Sequence, residues 1–121
     1  MVKQSLSMLG IPTAWAIRRE MMANNMDQID QYISDLVKQK GFVQIVVAKA
    51  DGKIAVASDR KFLGSEFGSL YPASYLTTEK ITVEDKGQGK WILVIPVMGL
   101  SARIGTVVID YQAPLATTVT L

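Results

Sequence analysis

Phe42-Val43-Gln44-Ile45-Val46-Val47-Ala48 and Ile54-Ala55-Val56-Ala57-Ser58, joined through Asp51-Gly52, decide the fold. Both runs are rich in the β-branched residues that are typical of strands. The Asp-Gly pair favours a tight hairpin turn, because glycine adopts positive φ without a steric penalty. The stretch therefore predicts two antiparallel strands at the start of a sheet.

Three more strands are predicted downstream, over residues 81–83, 90–97 and 103–111. Turns that contain glycine separate them, so the sheet is expected to be antiparallel, with a helix on one face. The first and last strands are the most apolar, and we expect them to lie next to each other at the centre of the sheet. Strand alternation divides residues 90–97 into two faces: Trp91, Leu93, Ile95 and Val97 on one, and Lys90, Ile92, Val94 and Pro96 on the other.

One long helix is predicted before the sheet, over residues 13–40, with Pro12-Thr13 at its start and Gly41 at its end. Apolar residues follow from Met22 at steps of four and three, which is the spacing of one helix face. Such a helix is about 40 Å long and would overhang a sheet of this size. Ile29, Ile33 and Leu36 are expected to cover the sheet. Trp15, Met22 and Met26 are left for a homodimer through the N-terminal helix.

The first 17 residues allow several interpretations. Residues 5–17 are moderately apolar, and Ala14-Trp15-Ala16 has the form of a signal-peptide cleavage site. A signal peptide, the remnant of a membrane helix and a plain N-terminal arm all remain open. No apolar run approaches the length of about 20 residues that spans a bilayer.

The amino-acid composition excludes several classes of function. The 121 residues contain no cysteine and no histidine, and the net charge is only +2. Catalytic Cys/His sets, Ser-His-Asp triads and the usual zinc ligands are therefore excluded, and we predict no enzyme activity, no metal and no cofactor. The basic residues are scattered, which argues against nucleic-acid binding.

A long loop over residues 59–78 is the predicted binding element, since long loops in small domains are typically functional or mobile. It carries two cations and two phenols that suit a small carboxylate or a hydroxylated solute. With one residue of the fourth strand, the predicted ligand-binding residues are Arg60, Lys61, Tyr71, Tyr75 and Trp91. The prediction places a small-ligand pocket between this loop and the sheet.

The chain resembles the Cache sensor domains, which are extracytoplasmic PAS-like domains. The resemblance rests on Asp51-Gly52-Lys53-Ile54, Ala57-Ser58, Leu63-Gly64 and, in the last strand, Arg103-Ile104-Gly105-Thr106-Val107-Val108. It implies an α+β fold: a PAS-like five-stranded antiparallel sheet after a long helix. The whole chain, 1–121, would be one single-unit sensor domain, with the sheet and pocket loop over 42–111 and a tail over 112–121.

The resemblance also implies a function. Such a domain lies on the extracytoplasmic side of a bacterial membrane, binds a small molecule such as a carboxylate or amino acid, and signals through flanking membrane helices. Its output belongs to a histidine kinase, a chemoreceptor or a cyclic-dinucleotide enzyme. The sequence lacks the amino-acid-binding signature of part of the double-unit group and the histidine of citrate-type sensors, so the ligand is not assigned.

An alternative interpretation is a roadblock- or profilin-like module that binds protein in the cytosol. That fold also combines a five-stranded sheet with helices. It requires a second helix between the second and third strands, where Tyr71-Pro72 interrupts the chain. Only the sequences on either side of the domain would decide the membrane question directly.

Overall fold

A computed structural model describes residues 2–113. Two helices come first, α1 (Val2–Met22) and α2 (Met26–Val37), and five strands follow: β1 (Phe42–Lys49), β2 (Ile54–Ala57), β3 (Thr82–Gly87), β4 (Lys90–Met98) and β5 (Arg103–Gln112). Most of the predicted tail, 114–121, lies outside the described residues, whereas Gln112 ends β5. The predicted α+β architecture, with an N-terminal helical segment and five strands, is confirmed.

All strand pairs are antiparallel, and the strand order is β2-β1-β5-β4-β3. The first and last strands are neighbours, and neither lies at an edge, as predicted. Their apolar runs need cover on both faces, which only an inner strand receives. Val46, Val47, Val107 and Val108 are accordingly inaccessible to solvent.

The single long helix predicted over residues 13–40 is wrong. α1 begins at Val2, passes through Pro12 and ends at Met22, and α2 begins at Met26. The break falls at Asn24, whose φ of +58° is a left-handed conformation that asparagine tolerates better than most residues. The chain folds back there, and Tyr32 reaches Thr13 across the pair with an O–O distance of 3.4 Å. The predicted overhang is therefore absent, because two shorter helices lie side by side.

Both helices cover one face of the sheet, which we call the helix-side face. Ile17 of α1 and Ile29 and Ile33 of α2 are buried there, and Leu36 packs against the same core. The covering role predicted for Ile29, Ile33 and Leu36 is confirmed. At the end of α1, Gly105 allows close approach: a Cβ there would lie 2.7 Å from Cε of Met21 and 2.8 Å from the carbonyl oxygen of Ala48. Residues 2–17, for which the sequence left three interpretations open, thus belong to helix α1 and pack against the sheet.

The segment between β2 and β3 covers the opposite face, which we call the loop-side face. It contains three short 3₁₀ turns, Arg60–Phe62, Phe67–Ser69 and Ala73–Thr77, instead of an α-helix. Its first half pairs with the free edge of β2, through bonds from Ile54 N to Ser65 O and from Gly64 N to Ile54 O, both 2.9 Å long. The segment is therefore a packed layer that stands over the sheet.

Candidate functional site

A row of four side chains crosses the loop-side face. Strand register places Gln44 of β1 opposite Asp110 of β5, Asp110 opposite Ile92 of β4, and Ile92 opposite Glu84 of β3. Neighbouring strands are about 4.8 Å apart, so the backbones at Asp110 and Glu84, two strands apart, are separated by about 10 Å. We call these four residues the cross-strand row.

Two phenols from the loop end on this row. The Tyr71 hydroxyl donates to Oδ2 of Asp110 at 3.1 Å and accepts from Nε2 of Gln44 at 2.8 Å. The Tyr75 hydroxyl donates to Oε1 of Glu84 at 2.6 Å. The loop is therefore held over the sheet by the row's own polar groups.

Three aromatic rings fill the space above the row. Phe67, Tyr71 and Tyr75 are only 1%, 9% and 4% exposed. Their centroids are 5.4 Å (Phe67–Tyr71), 6.1 Å (Tyr71–Tyr75) and 6.5 Å (Phe67–Tyr75) apart, distances at which aromatic pairs attract. In this conformation the region between loop and sheet is occupied by protein, so a ligand would have to displace at least one ring.

Arg103 fastens the far end of the loop. Its guanidinium donates to the carbonyl oxygens of Thr78 and, at 2.9 Å, Tyr75. It also bonds Oγ1 of Thr106 in its own strand at 2.9 Å. Burial lowers the pKa of Arg103 from its ordinary value. Because its N–H groups donate to these oxygens, Arg103 links β5 to the end of the loop.

Asp110 is electrostatically unbalanced. Burial raises the pKa of its carboxyl above the ordinary value, and the hydrogen bond from Tyr71 offsets part of that effect. Within residues 2–113, no lysine or arginine lies at ion-pair distance from Asp110. Glu84, by contrast, has Nζ of Lys86 at 3.5 Å from Oε1. The centre of the row is therefore a half-buried carboxylate without a cation.

Both phenols remain protonated donors over the physiological pH range. Burial is the main reason that the pKa of Tyr71 and that of Tyr75 are raised above the ordinary value. The hydrogen bond from Tyr75 to Glu84 adds to the effect for Tyr75.

The structure does not bring the five predicted site residues together. Tyr71 and Tyr75 lie on the loop-side face, as described above. Arg60 and Lys61 are exposed at the outer rim of the loop, where Arg60 pairs with Asp30 of α2 at 3.0 Å and Lys61 with Asp59 at 3.6 Å. Trp91 packs with the helix-side core, since strand alternation places it with Leu93 and Ile95 as predicted.

Sequence reasoning missed Gln44, Glu84, Asp110 and Arg103 as members of the site. Two of them had a detectable signal: Gln44 and Asp110 interrupt the apolar runs of the two innermost strands. A polar residue in such a run is costly to bury unless it has a partner. The strand register that places Gln44 opposite Asp110 could not be predicted from the sequence, because it depends on how the strands pair in the folded sheet.

Other features of the described residues give weaker indications of a binding site than the cross-strand row does. An open groove of about 880 Å³ lies between the start of α1 and the end of α2, but its walls are mainly apolar, among them Leu6, Leu9, Leu36 and Phe42. No group of three or more metal-ligating side chains occurs in residues 2–113. None of the helices described is both long enough and apolar enough to cross a membrane.

Comparison with known proteins finds likeness at the level of structure. No family model matches the chain, and no curated protein matches it significantly. The ligand-binding domain of the Pseudomonas aeruginosa PAO1 amino acid chemoreceptor PctC, solved in complex with GABA, superposes with a TM-score of 0.51 and 13% identity, over 72% of this chain and 39% of its own. The sensor domain of the Vibrio cholerae histidine kinase DctB gives 0.50 and 16%, over 83% of this chain and 43% of its own.

The chain therefore spans about two fifths of each of these two structures. One is the ligand-binding domain of a chemoreceptor, and the other is the sensor domain of a histidine kinase. The superposition covers most of this chain, whose described part consists of the N-terminal helices and the five-stranded antiparallel sheet. At this level of identity the likeness concerns the fold alone, and it agrees with the predicted resemblance: the chain has an α+β, PAS-like fold similar to that of these two domains.

Proposed function

We propose that the chain is a non-enzymatic ligand-sensing domain of a bacterial membrane signalling protein, and that its loop-side face takes a small molecule with a cationic amine. The observation that carries the proposal is Asp110, a half-buried carboxylate with no cation beside it under a lid of aromatic rings.

The charge of the site favours an amine over the carboxylate expected from the sequence. That expectation rested on Arg60 and Lys61, which face the rim and are paired with aspartates there. Tyr71, which bonds Asp110, packs against the rings of Phe67 and Tyr75, and aromatic faces attract cations most strongly when water is excluded. An ammonium group would supply the missing counter-charge and satisfy the carboxylate that burial otherwise penalises.

Binding would move the loop, and the loop is connected to the helices. An amine at Asp110 competes with the Tyr71 hydroxyl for the same oxygen, so the Tyr71 anchor loosens. At its other end the loop is tied to α2 through the Arg60–Asp30 pair. This link is a route by which loop displacement reaches the N-terminal helices.

The likeness to PctC and DctB supports the assignment of a sensor. By analogy with these receptors we place the domain on the extracytoplasmic side of the membrane, joined to it by flanking segments. We also place it ahead of an output domain of a chemoreceptor, a histidine kinase or a cyclic-dinucleotide enzyme. The roadblock- or profilin-like alternative loses its support, because three 3₁₀ turns occupy the position of its required helix.

The predicted homodimer through the N-terminal helix forms part of this proposal. Trp15 and Met22 are 62% and 47% exposed, whereas most large apolar residues of the chain are covered. Signalling proteins that transmit through paired helices need such a contact.

A thermal-shift series tests the ligand class. We expect primary amines such as GABA and putrescine to raise the unfolding midpoint, and acetate and succinate at equal ionic strength to leave it unchanged. A ligand at a hundredfold excess over its Kd stabilises the fold by about 2.7 kcal/mol. Asp110→Asn should remove the shift. Asp27→Asn, an exposed acid on α2, is the matched control that should retain it. Stabilisation by the carboxylates alone, or an amine effect that survives in Asp110→Asn, would contradict the proposal.

A further inference from the structure

The open groove between the start of α1 and the end of α2 arises because the two helices differ in length. α1 has 21 residues and α2 has 12, which makes them about 31 Å and 18 Å long. The chain folds back at Asn24 and brings Thr13 beside Tyr32. Counted from that contact, Val37 ends α2 at about the level of Met8. The first turns of α1 therefore lie over the end of the sheet without α2 beside them.

Apolar side chains from four elements form the walls of this groove. α1 contributes three of them, α2 one, and the paired ends of β1 and β5 one each: Val2, Leu6, Leu9, Leu36, Phe42 and Tyr111. Its volume of about 880 Å³ falls in the range of about 300–1,000 Å³ that is typical of small-molecule sites, which are mainly apolar. All six residues pack with the helix-side core, so the groove is separate from the cross-strand row.

The edge of the groove is positively charged. Lys40 lines the groove just after α2, and within residues 2–113 its ammonium has no carboxylate at ion-pair distance. α1 has no acidic residue before Glu20, and the last acid of α2, Asp35, lies 3.9 Å from Nζ of Lys38. An apolar interior with an unpaired cation at its edge is complementary to a molecule that has an apolar chain and an anionic head.

We infer that the groove binds a medium-chain fatty acid, with the alkyl chain along the first turns of α1 and the carboxylate at Lys40. Val2 and Leu9 are about 10 Å apart along the helix axis, which is the length of an extended alkyl chain of about eight to ten carbons. Amide and hydroxyl groups that line the groove are available to donate to the carboxylate, those of Gln4, Ser5 and Gln39. This site goes beyond the proposed amine site and shares no residue with it. A fatty acid bound there joins the start of α1 to the ends of β1 and β5.

Calorimetric titration of the full chain with decanoate, below its micelle concentration, tests the site. We expect one molecule of decanoate per chain. Octanoate should bind about tenfold more weakly, because each buried CH₂ group changes the affinity about fourfold. Acetate, which has the head without the chain, should give no heat of binding. Decyltrimethylammonium has the same chain with a cationic head and should bind at least tenfold more weakly than decanoate.

Two variants with matched controls locate the binding. Ser5 is exposed at the groove, so Ser5→Trp should fill it and abolish decanoate binding, whereas Ser101→Trp in the exposed turn between β4 and β5 should not. Lys40→Glu replaces an exposed attraction with a repulsion and should weaken binding about three- to tenfold. Lys49→Glu, at the other end of β1 from Phe42, should leave the affinity unchanged.

Each contrary result overturns a stated part of the inference. Equal affinity for decanoate and decyltrimethylammonium would overturn the anionic head, and unchanged binding in Ser5→Trp would overturn the groove. Decanoate binding that appears only after removal of residues 114–121 would assign the groove to the chain's own C-terminal segment. Binding to phosphatidylglycerol vesicles without binding to decanoate would make it a membrane contact. Asp110→Asn should keep the decanoate site, so this inference and the amine proposal fail separately.

Discussion

Tyr71→Phe isolates the hydrogen bond that closes the loop onto the cross-strand row. The substitution keeps the ring packing with Phe67 and removes the hydroxyl that Asp110 and Gln44 share. A hydrogen bond to a charged group contributes about 1.5–3 kcal/mol, and one between neutral groups about 0.5–1.5 kcal/mol. At pH 7 we therefore expect Tyr71→Phe to lower the free energy of unfolding by about 1.5–3 kcal/mol.

The loss of stability caused by Tyr71→Phe should depend on pH, and the titration of Asp110 sets the direction of that dependence. Burial raises its pKa in the folded state, so this carboxyl favours folding most below its unfolded pKa, and the advantage is lost as the pH rises through the folded value. Without the Tyr71 donor, the folded pKa of Asp110 rises further. The destabilisation by Tyr71→Phe should therefore be small near pH 4 and grow toward pH 7.

Urea unfolding at pH 4 and pH 7, with unchanged m-values, measures both quantities. Tyr75→Phe is the matched control, because Glu84 keeps Lys86 and partial exposure when the phenol is lost. Its cost should lie at the lower end of the range for bonds to charged groups, about 1.5 kcal/mol, because Glu84 keeps that pairing and contact with water. In an Asp110→Asn background the pH dependence of Tyr71→Phe should disappear. A Tyr71→Phe effect that is equal at both pH values, or larger at pH 4, would refute the role assigned to Asp110.

Two further substitutions test the frame around the site. Gly105→Ala should cost about 1–3 kcal/mol, because its Cβ would meet the backbone oxygen of Ala48 at 2.8 Å; Gly68→Ala, with open space around it, should change thermal stability by less than about 0.5 kcal/mol, and equal effects would contradict the close approach. Asp30→Asn breaks the exposed pair with Arg60, so we expect a loss below about 1 kcal/mol that vanishes in 1 M salt; a larger, salt-independent loss in urea unfolding would show that the link is not the solvated pair described.

The sheet could be predicted because its signals are local. The β-branched runs around Ile45 and Ile109 define inner strands wherever they pair. The Asp-Gly turn and Gly87-Gln88-Gly89 fix the hairpins, and all three residues of the latter have positive φ. Alternation along β4 also separated the two faces correctly, with Leu93 against the helices and Val94 under the loop.

The helical segment was mispredicted because the periodic signal passes through the break. Met22 and Met26 keep the four-residue step of one helix face, although Asn24 reverses the chain between them. The two adjacent asparagines at this point were the available sign of a helix break, and a prediction from apolar spacing alone does not use them. The predicted helix starts at Pro12-Thr13, yet α1 runs through Pro12 at an exposed position.

The sequence named two residues of the loop-side face but not their hydrogen-bond partners, because the partners are distant along the chain. Tyr71 and Tyr75 could be named because they belong to one loop. Their acceptors Asp110 and Glu84 come from strands that only the folded register brings beneath them. Arg60 looked like a ligand group because its partner Asp30 lies 30 residues away on α2. The partner of Lys61 is Asp59, only two residues before it, so that pairing could have been read from the sequence.

The position of β5 has a consequence for how the molecule folds. Within residues 2–113, the hairpin of β1 and β2 and the hairpin of β3 and β4 share no strand pairing, and β5 lies between them and pairs with both. Phe42 pairs with Tyr111, roughly 70 residues away, so the closing step is a contact of long range, which slows folding. Two-stranded hairpins are marginal in water by themselves. During synthesis the two hairpins therefore stay unpaired with each other until β5 has been made. A chain that is cut ahead of Arg103 lacks the strand that joins them in one sheet.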